Sequence, residues 1–263
     1  MDKYIKDLDK ILSEEFLSLK KEIKSQKLGV LFSGGVDSSL IARLGEDTGL
    51  NPILYSFGTE KSKDRQFVFD FASDMKMPLV FEEVKTGEIE KNIPLIREEL
   101  AKIGEDPNPM QVALAVGVYL VGKKAKADNV KFMLCGQGSD ELFAGYKKYE
   151  GLKDDDLQKS LERDIESVMR SDIARDAHML SLSGIKLFAP YTSQEFIDYA
   201  LKIPLEYKVS GDTKKFIIRK VAEKRGLPDY ICERPKNAMQ YSSGIQKVVS
   251  KVCKAERQNG QTA

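Results

Sequence analysis

The heptapeptide Ser33-Gly34-Gly35-Val36-Asp37-Ser38-Ser39 sits where the hydrophobic period changes, and this constrains the fold more than any other feature. Before it, Leu28, Val30, Leu31 and Phe32 form a short apolar run, the pattern of a strand buried on both faces. From Ser38 to Gly45 helical spacing resumes. A strand that turns through Gly-Gly into a helix aims the helix's first amides beyond the strand's end, where an anion is favoured. Gly34 and Gly35 permit close backbone approach to phosphate oxygens, and Ser33, Ser38 and Ser39 can donate hydroxyl hydrogen bonds to them. Asp37 is out of place beside a polyanion unless a divalent cation lies between, and Mg2+, which takes carboxylate and phosphate oxygens, suits the position. The expected reading is a pyrophosphate-binding loop in a protein that splits ATP to AMP and pyrophosphate. It is neither a GxxxxGK(S/T) loop nor a GxGxxG fingerprint. A Gly-Gly turn with a Ser/Asp helix cap is the plain alternative, and the strand context argues against it.

The same pattern recurs downstream. Ile53 to Phe57 reads as a second strand, 79–84 as a third and Val130 to Cys135 as a fourth, with helices over 65–75, 86–103 and 109–126 between them. Strands separated by helices require parallel crossovers, so the expected class is α/β: an open parallel sheet with helices on both faces, followed by a helical C-terminal region. Ligands bind such sheets beyond the carboxyl ends of the strands. The loop after Cys135, Gly136-Gln137-Gly138-Ser139-Asp140-Glu141, is glycine-rich again and brings a second carboxylate to that edge. Asp37 and Asp140 together could hold Mg2+ against a departing pyrophosphate, so the two loops are expected to share a site. The expected organisation is a helix over 1–26 packing on the core, a nucleotide-binding core over 27–150, a helical region over 151–257 completing the site, and a flexible tail over 258–263.

Composition narrows the class. With 42 basic and 41 acidic residues the net charge is +1, which gives no electrostatic reason to expect a nucleic acid or membrane partner. No segment approaches the roughly 20 apolar residues of a membrane span, and the start, MDKYIKDLDK, lacks a signal peptide's apolar core. Cys135, Cys232 and Cys253 are widely spaced and read as reduced thiols of a cytoplasmic protein. His178 is the only histidine, so there is no histidine cluster for a transition metal, and an ordinary polar role is expected for it.

The pair SGGVDSS and CGQGSDELFAGY closely resembles the synthetase domain of glutamine-dependent asparagine synthetases and their relatives, the β-lactam and carbapenam synthetases. IKLFAPYTSQEFIDYALKIPLEYK, KKFIIRKVA and LPDYICERPKNAMQYSSG continue the match, from about residue 28 to 250. The resemblance implies a PP-loop fold of the adenine nucleotide alpha hydrolase kind. It also implies a domain that adenylates a carboxylate with ATP and Mg2+, then passes the acyl group to a nitrogen nucleophile. Carried over by motif, Ser33, Gly34, Gly35, Asp37, Ser38 and Ser39 would bind pyrophosphate, with Asp37 and Asp140 as metal ligands. Leu31, Phe57 and the Cys135-Gly136 backbone would line the adenosine pocket, and Ser139 joins the nucleotide-binding set. Lys215 and Lys236 would reach the phosphates, where fixed cations stabilise charge that builds in the transition state.

Three departures bear on the acceptor half. Gln137 stands where the asparagine synthetases carry a glutamate, and a neutral amide can orient a nucleophile but not deprotonate it. Lys186, Phe188 and Ser193 replace a glutamate, an arginine and an aspartate, a change expected to alter a pocket wall and with it which acid is accepted; aspartate is the acid the resemblance implies. Asp2 follows the initiator where an N-terminal-nucleophile glutaminase needs cysteine. Nitrogen is therefore expected from free ammonia, a separate glutaminase subunit or an amine on the substrate. Two other readings keep the loop: a tRNA-modifying enzyme that adenylates a base, and a non-catalytic ATP-binding subunit.

Overall fold

The computed structural model describes residues 1–152, 154–211, 213–234 and 243–260. Helix α1 (Asp2–Ile23) buries Leu8, Ile11, Leu12, Phe16, Leu19 and Ile23, the stripe its period predicts. The main sheet holds β1 (Lys27–Leu31), β2 (Ile53–Gly58), β3 (Leu79–Glu83), β4 (Val130–Leu134) and β5 (Lys186–Phe188). Between its first four strands run α2 (Val36–Asp47), α3 (Arg65–Asp74), α4 (Thr86–Lys102) and α5 (Pro109–Ala127). After β4 come the one-turn α6 (Ser139–Leu142), α7 (Asp154–Val168) and α8 (Ala174–Ser181). Beyond β5 lie α9 (Gln194–Leu201), α10 (Leu205–Lys208), a hairpin of β6 (Val209–Ser210) and β7 (Thr213–Lys214), α11 (Phe216–Lys224), α12 (Asp229–Cys232) and α13 (Ile245–Gly260).

All pairings in the main sheet are parallel, in the order β3-β2-β1-β4-β5. The order reverses between β1 and β4, so the connections leaving these neighbours part to opposite faces and open a crevice at their carboxyl ends. Both glycine-rich loops start there. One face is covered by α1, α2, α3, α9 and α11 through Phe16, Leu40, Phe71, Phe196 and Ile218. The other is covered by α4, α5, α8 and α13 through Ile93, Val116, Leu180 and Val249. Helix α5 is buried on most sides, which explains its nearly unbroken apolar sequence. Gly117 within it lets the Phe57 ring lie on the helix, because a Cβ there would come 2.2 Å from that ring.

Three elements differ from expectation. Strand β5 lies in the stretch read as wholly helical; three residues are too few to show a period, and it forms by adding to β4 in register Phe132 with Lys186. Within the region expected to be helical, a π-turn at Met169–Ile173 separates α7 from α8. Helix α13 continues to Gly260, into the expected tail, and residues 261–263 lie outside the described residues. Among the described residues no helix is long and apolar enough to cross a membrane.

Candidate active site

Helix α2 begins at Gly35 without a side-chain cap. By contrast, Asn108 caps α5 by accepting hydrogen bonds from the Met110 and Gln111 amides. The first backbone bond inside α2 is Ser39 N to Gly35 O, so the amides of Val36, Asp37 and Ser38 are left without an intrahelical acceptor. The serines shape this opening. Ser38 Oγ donates to Gly35 O and receives Ser33 N, and the Ser33 and Ser38 hydroxyls lie 3.1 Å apart. Ser33 Oγ also accepts from Gly35 N at 3.3 Å. Ser39 lies deeper: it is fully buried, and its hydroxyl has no hydrogen-bond partner among the described residues. Gly34 holds φ +71°, a left-handed conformation glycine adopts without strain.

The second loop closes directly on the first. A Cβ at Gly136 would stand 3.0 Å from Ser38 N, so backbone meets backbone here. Ser139 Oγ donates to Asp37 Oδ1 at 2.7 Å, and the buried Tyr191 hydroxyl donates to Asp37 O. Lys215, buried at the start of α11, then joins both carboxylates: its Nζ lies 2.5 Å from Asp37 Oδ2 and 2.6 Å from Asp140 Oδ1. Burial alone would push this ammonium's pKa down, but the two carboxylates outweigh it and hold it above its ordinary value. Gly145 makes room for the pair, since a Cβ there would come 1.9 Å from Asp140 Oδ1.

Two carboxylates converging on one cationic nitrogen are a donor set that suits Mg2+, which binds through one or two carboxylates and completes its shell with phosphate oxygens and water. Among the described residues no group of three or more His, Cys, Asp or Glu side chains could hold a metal ion.

A second network lies behind Gln137. Its Nε2 donates to Asp176 Oδ2 at 2.7 Å, and Asp176 Oδ1 accepts from Arg175 Nε at 2.8 Å. Arg175, 2% exposed, also donates to Asp172 and to Gln111. Burial pushes the Asp176 carboxyl pKa up, and Arg175 offsets only part of that. The amide orientation of Gln137 follows: a carboxylate takes the NH2 end, and Oε1 accepts from the Cys135 thiol at 3.8 Å. Sequence reasoning missed Arg175 and Asp176, which carry no motif; their proximity to Gln137 arises only because α8 packs beside β4's loop.

Leu31, Phe57 and Cys135 share one apolar cluster at the crevice. The Cys135 amide already donates to Phe188 O, so it continues the sheet and is not free for a ligand. Burial pushes the Cys135 thiol up to about 12. Lys236 lies outside the described residues. The segment leading to it is anchored on the first loop: Arg234 donates to Gly34 O at 2.8 Å and to Asp64, and its guanidinium stacks 3.6 Å from the centre of the Phe67 ring. Arg219 in turn donates to the Cys232 and Arg234 carbonyls.

The three residues of the second departure, Lys186, Phe188 and Ser193, take separate structural places. Lys186 opens β5 at the end remote from the crevice, is exposed and pairs with Glu22 at 2.7 Å. Ser193 caps α9 by accepting from Phe196 N. Phe188 packs against Phe132. His178 is satisfied, as expected, by Glu99 at 2.8 Å.

An open parallel sheet with an uncapped glycine-rich helix start at its switch point, facing two carboxylates and a lysine, defines an α/β nucleotide-binding protein of the PP-loop class. The asparagine synthase family model matches residues 19–153 and 149–259, and the chain belongs to that family. A Methanocaldococcus jannaschii protein provisionally named asparagine synthetase (glutamine-hydrolysing) 1 is 31% identical over 94% of this chain and 51% of its own length. Asparagine synthetase B of Escherichia coli is 29% identical over 87% of this chain and 44% of its own. The chain spans about half the length of the curated relatives it matches. An NH3-dependent NAD synthetase from Campylobacter jejuni aligns over 80% of this chain and 97% of its own with a TM-score of 0.38 and 13% identity, too loose a likeness to add to the assignment.

Proposed function

We propose that this chain is an ATP-dependent amide-forming ligase. A carboxylate oxygen of the substrate attacks the α-phosphorus of ATP, the bond to the β-phosphate bridging oxygen breaks, and pyrophosphate leaves. The acyl-adenylate is then attacked by nitrogen, with loss of AMP and a proton. The observation that carries this reading is the convergence of Asp37, Asp140 and Lys215 at the uncapped start of α2. Anion recognition needs only the amides; two acidic groups beside an anion site make sense where a divalent cation joins phosphates to protein. Asp37 and Asp140 would hold Mg2+, which when bound offsets charge on the leaving pyrophosphate.

The chain's own groups do the remaining work. The Val36, Asp37 and Ser38 amides orient the phosphates, and Lys215 supplies a positive charge in a mostly dry site. Leu31 and Phe57 form the apolar wall for adenosine, and Lys236 adds a second cation. Gln137, held through its NH2 group by Asp176, would orient the incoming nitrogen by hydrogen bonding. The nitrogen source is ammonia, delivered freely or by a separate glutaminase subunit, or an amine on the substrate, and aspartate is the first acid to try. The cytoplasm suits three buried free thiols. The test is exchange of labelled pyrophosphate into ATP across a panel of carboxylic acids, followed by AMP release with ammonia. Asp37→Asn and Asp140→Asn should abolish exchange. An absence of exchange with every acid, or full activity in either variant, overturns the reading or its metal assignment respectively.

A further inference from the structure

We infer that Lys215 is a resident cation of the metal position: its ammonium and a divalent ion compete for Asp37 and Asp140, and the ion enters only as nucleotide phosphates draw the lysine away. The inference rests on the reading of the two aspartates as metal ligands.

The geometry leaves little alternative to exclusion. Nζ sits 2.5 Å and 2.6 Å from one oxygen of each carboxylate, so it occupies the space between them. An ion bridging the same two oxygens at about 2.0–2.1 Å would overlap the ammonium, and the like charges would repel. Two carboxylates that share one contact destabilise one another when both are ionised, and a cation between them offsets this. Lys215 meets that need.

The lysine stem lies against Gly145, where a Cβ would come 2.3 Å from Lys215 Cε, so the absence of a side chain there leaves the stem room. The free amides at the start of α2 include that of Asp37 itself, which places a bound phosphate beside the ammonium's present position. A rotation of the stem can exchange carboxylate for phosphate partners while the freed carboxylates receive the ion. Metal alone should therefore bind poorly, and nucleotide should recruit it.

The test uses the full chain and Mn2+ as probe, with free Mn2+ read by electron paramagnetic resonance and stability read by thermal melting. Without nucleotide, wild type should bind Mn2+ at least about tenfold more weakly than Lys215→Met, within the usual range of coupled sites. Lys215→Arg should stay weak, and Lys215→Met/Asp140→Asn should lose the gain. Lys215→Gln serves if the Met variant does not fold, as judged by circular dichroism. Independently of any Lys215 variant, Mn2+ alone should leave the wild-type melting temperature unchanged. A wild-type chain that binds Mn2+ without nucleotide as tightly as Lys215→Met, or is stabilised by Mn2+ through Asp140, overturns the competition. If no Lys215 variant gains affinity while binding of a non-hydrolysable ATP analogue still requires Mn2+ and Asp140, competition fails and the ligand assignment stands. If analogue binding ignores both Mn2+ and Asp140→Asn, the ligand assignment fails and takes the inference with it.

Discussion

Gly145→Ala is the smallest change that should dismantle the site. The added carbon would stand 1.9 Å from Asp140 Oδ1, 2.8 Å from Asp140 Cγ and 2.3 Å from Lys215 Cε. Non-bonded contact is comfortable at about 3.5 Å, so the carboxylate must retreat by roughly 1.5 Å. That carries the Asp140–Lys215 contact from 2.6 Å to beyond hydrogen-bond reach. Overpacking alone costs about 1–3 kcal/mol, and stripping a buried charge of its partner costs about 3–5 kcal/mol. Because Lys215 keeps Asp37, the expected loss lies where these ranges meet, near ~3 kcal/mol. Backbone strain adds nothing, since Gly145 is outside the left-handed region. Urea unfolding should give a lower midpoint with unchanged slope, and pyrophosphate exchange should fall at least ~100-fold, in line with a misplaced charged group. Gly87→Ala is the control: nothing lies within 4 Å of a Cβ there, and inside α4 alanine should be neutral or stabilising by up to about 1 kcal/mol. A Gly145→Ala chain with wild-type stability and exchange would refute the packing argument.

Gly117→Ala should raise the KM for ATP more than it lowers the rate, because the new methyl displaces the Phe57 ring it would meet at 2.2 Å; an unchanged KM in exchange kinetics removes Phe57 from the adenosine wall. Lys208 is wholly buried, its Nζ has no hydrogen-bond partner among the described residues, and burial lowers its pKa to about 8. The unfolded chain then holds more protons than the native one between pH 8 and 10.5, so stability should rise with pH across that window. Lys208→Met should stabilise the protein at pH 7 by up to ~3 kcal/mol, a gain that fades by pH 10.5, and a flat difference in urea melts would contradict it. For Asp176 the raised carboxyl means the native state keeps a proton that the unfolded chain has released. Stability should therefore fall as pH rises from the ordinary aspartate value to the folded one, and Asp176→Asn should flatten that slope in urea melts while leaving pyrophosphate exchange in place.

The legible parts of this protein are those encoded by local period and local chemistry. β1 and α2 could be read around Ser33–Ser39 because a buried strand, a Gly-Gly turn and a helix each leave a signature within a few residues. β5 could not be read, because three residues form a strand only where β4 offers an edge to pair with. The places of Lys186 and Ser193 were illegible for the same reason: a motif position says what residue type is present, not which end of a strand it occupies or whether it caps a helix.

What the sequence determined by itself is the α/β class, the phosphate-seeking turn after β1 and the presence of two carboxylates in glycine-rich loops. Those follow from neighbours in the chain. The tertiary structure alone decided that Asp37 and Asp140, 103 positions apart in sequence, meet on one lysine. It alone set a buried Arg175–Asp176 pair behind Gln137. The physical reason is the sheet order: by laying β4 directly beside β1, it brings the ends of two distant strands within hydrogen-bond distance of α11 and α8, a proximity no local pattern encodes.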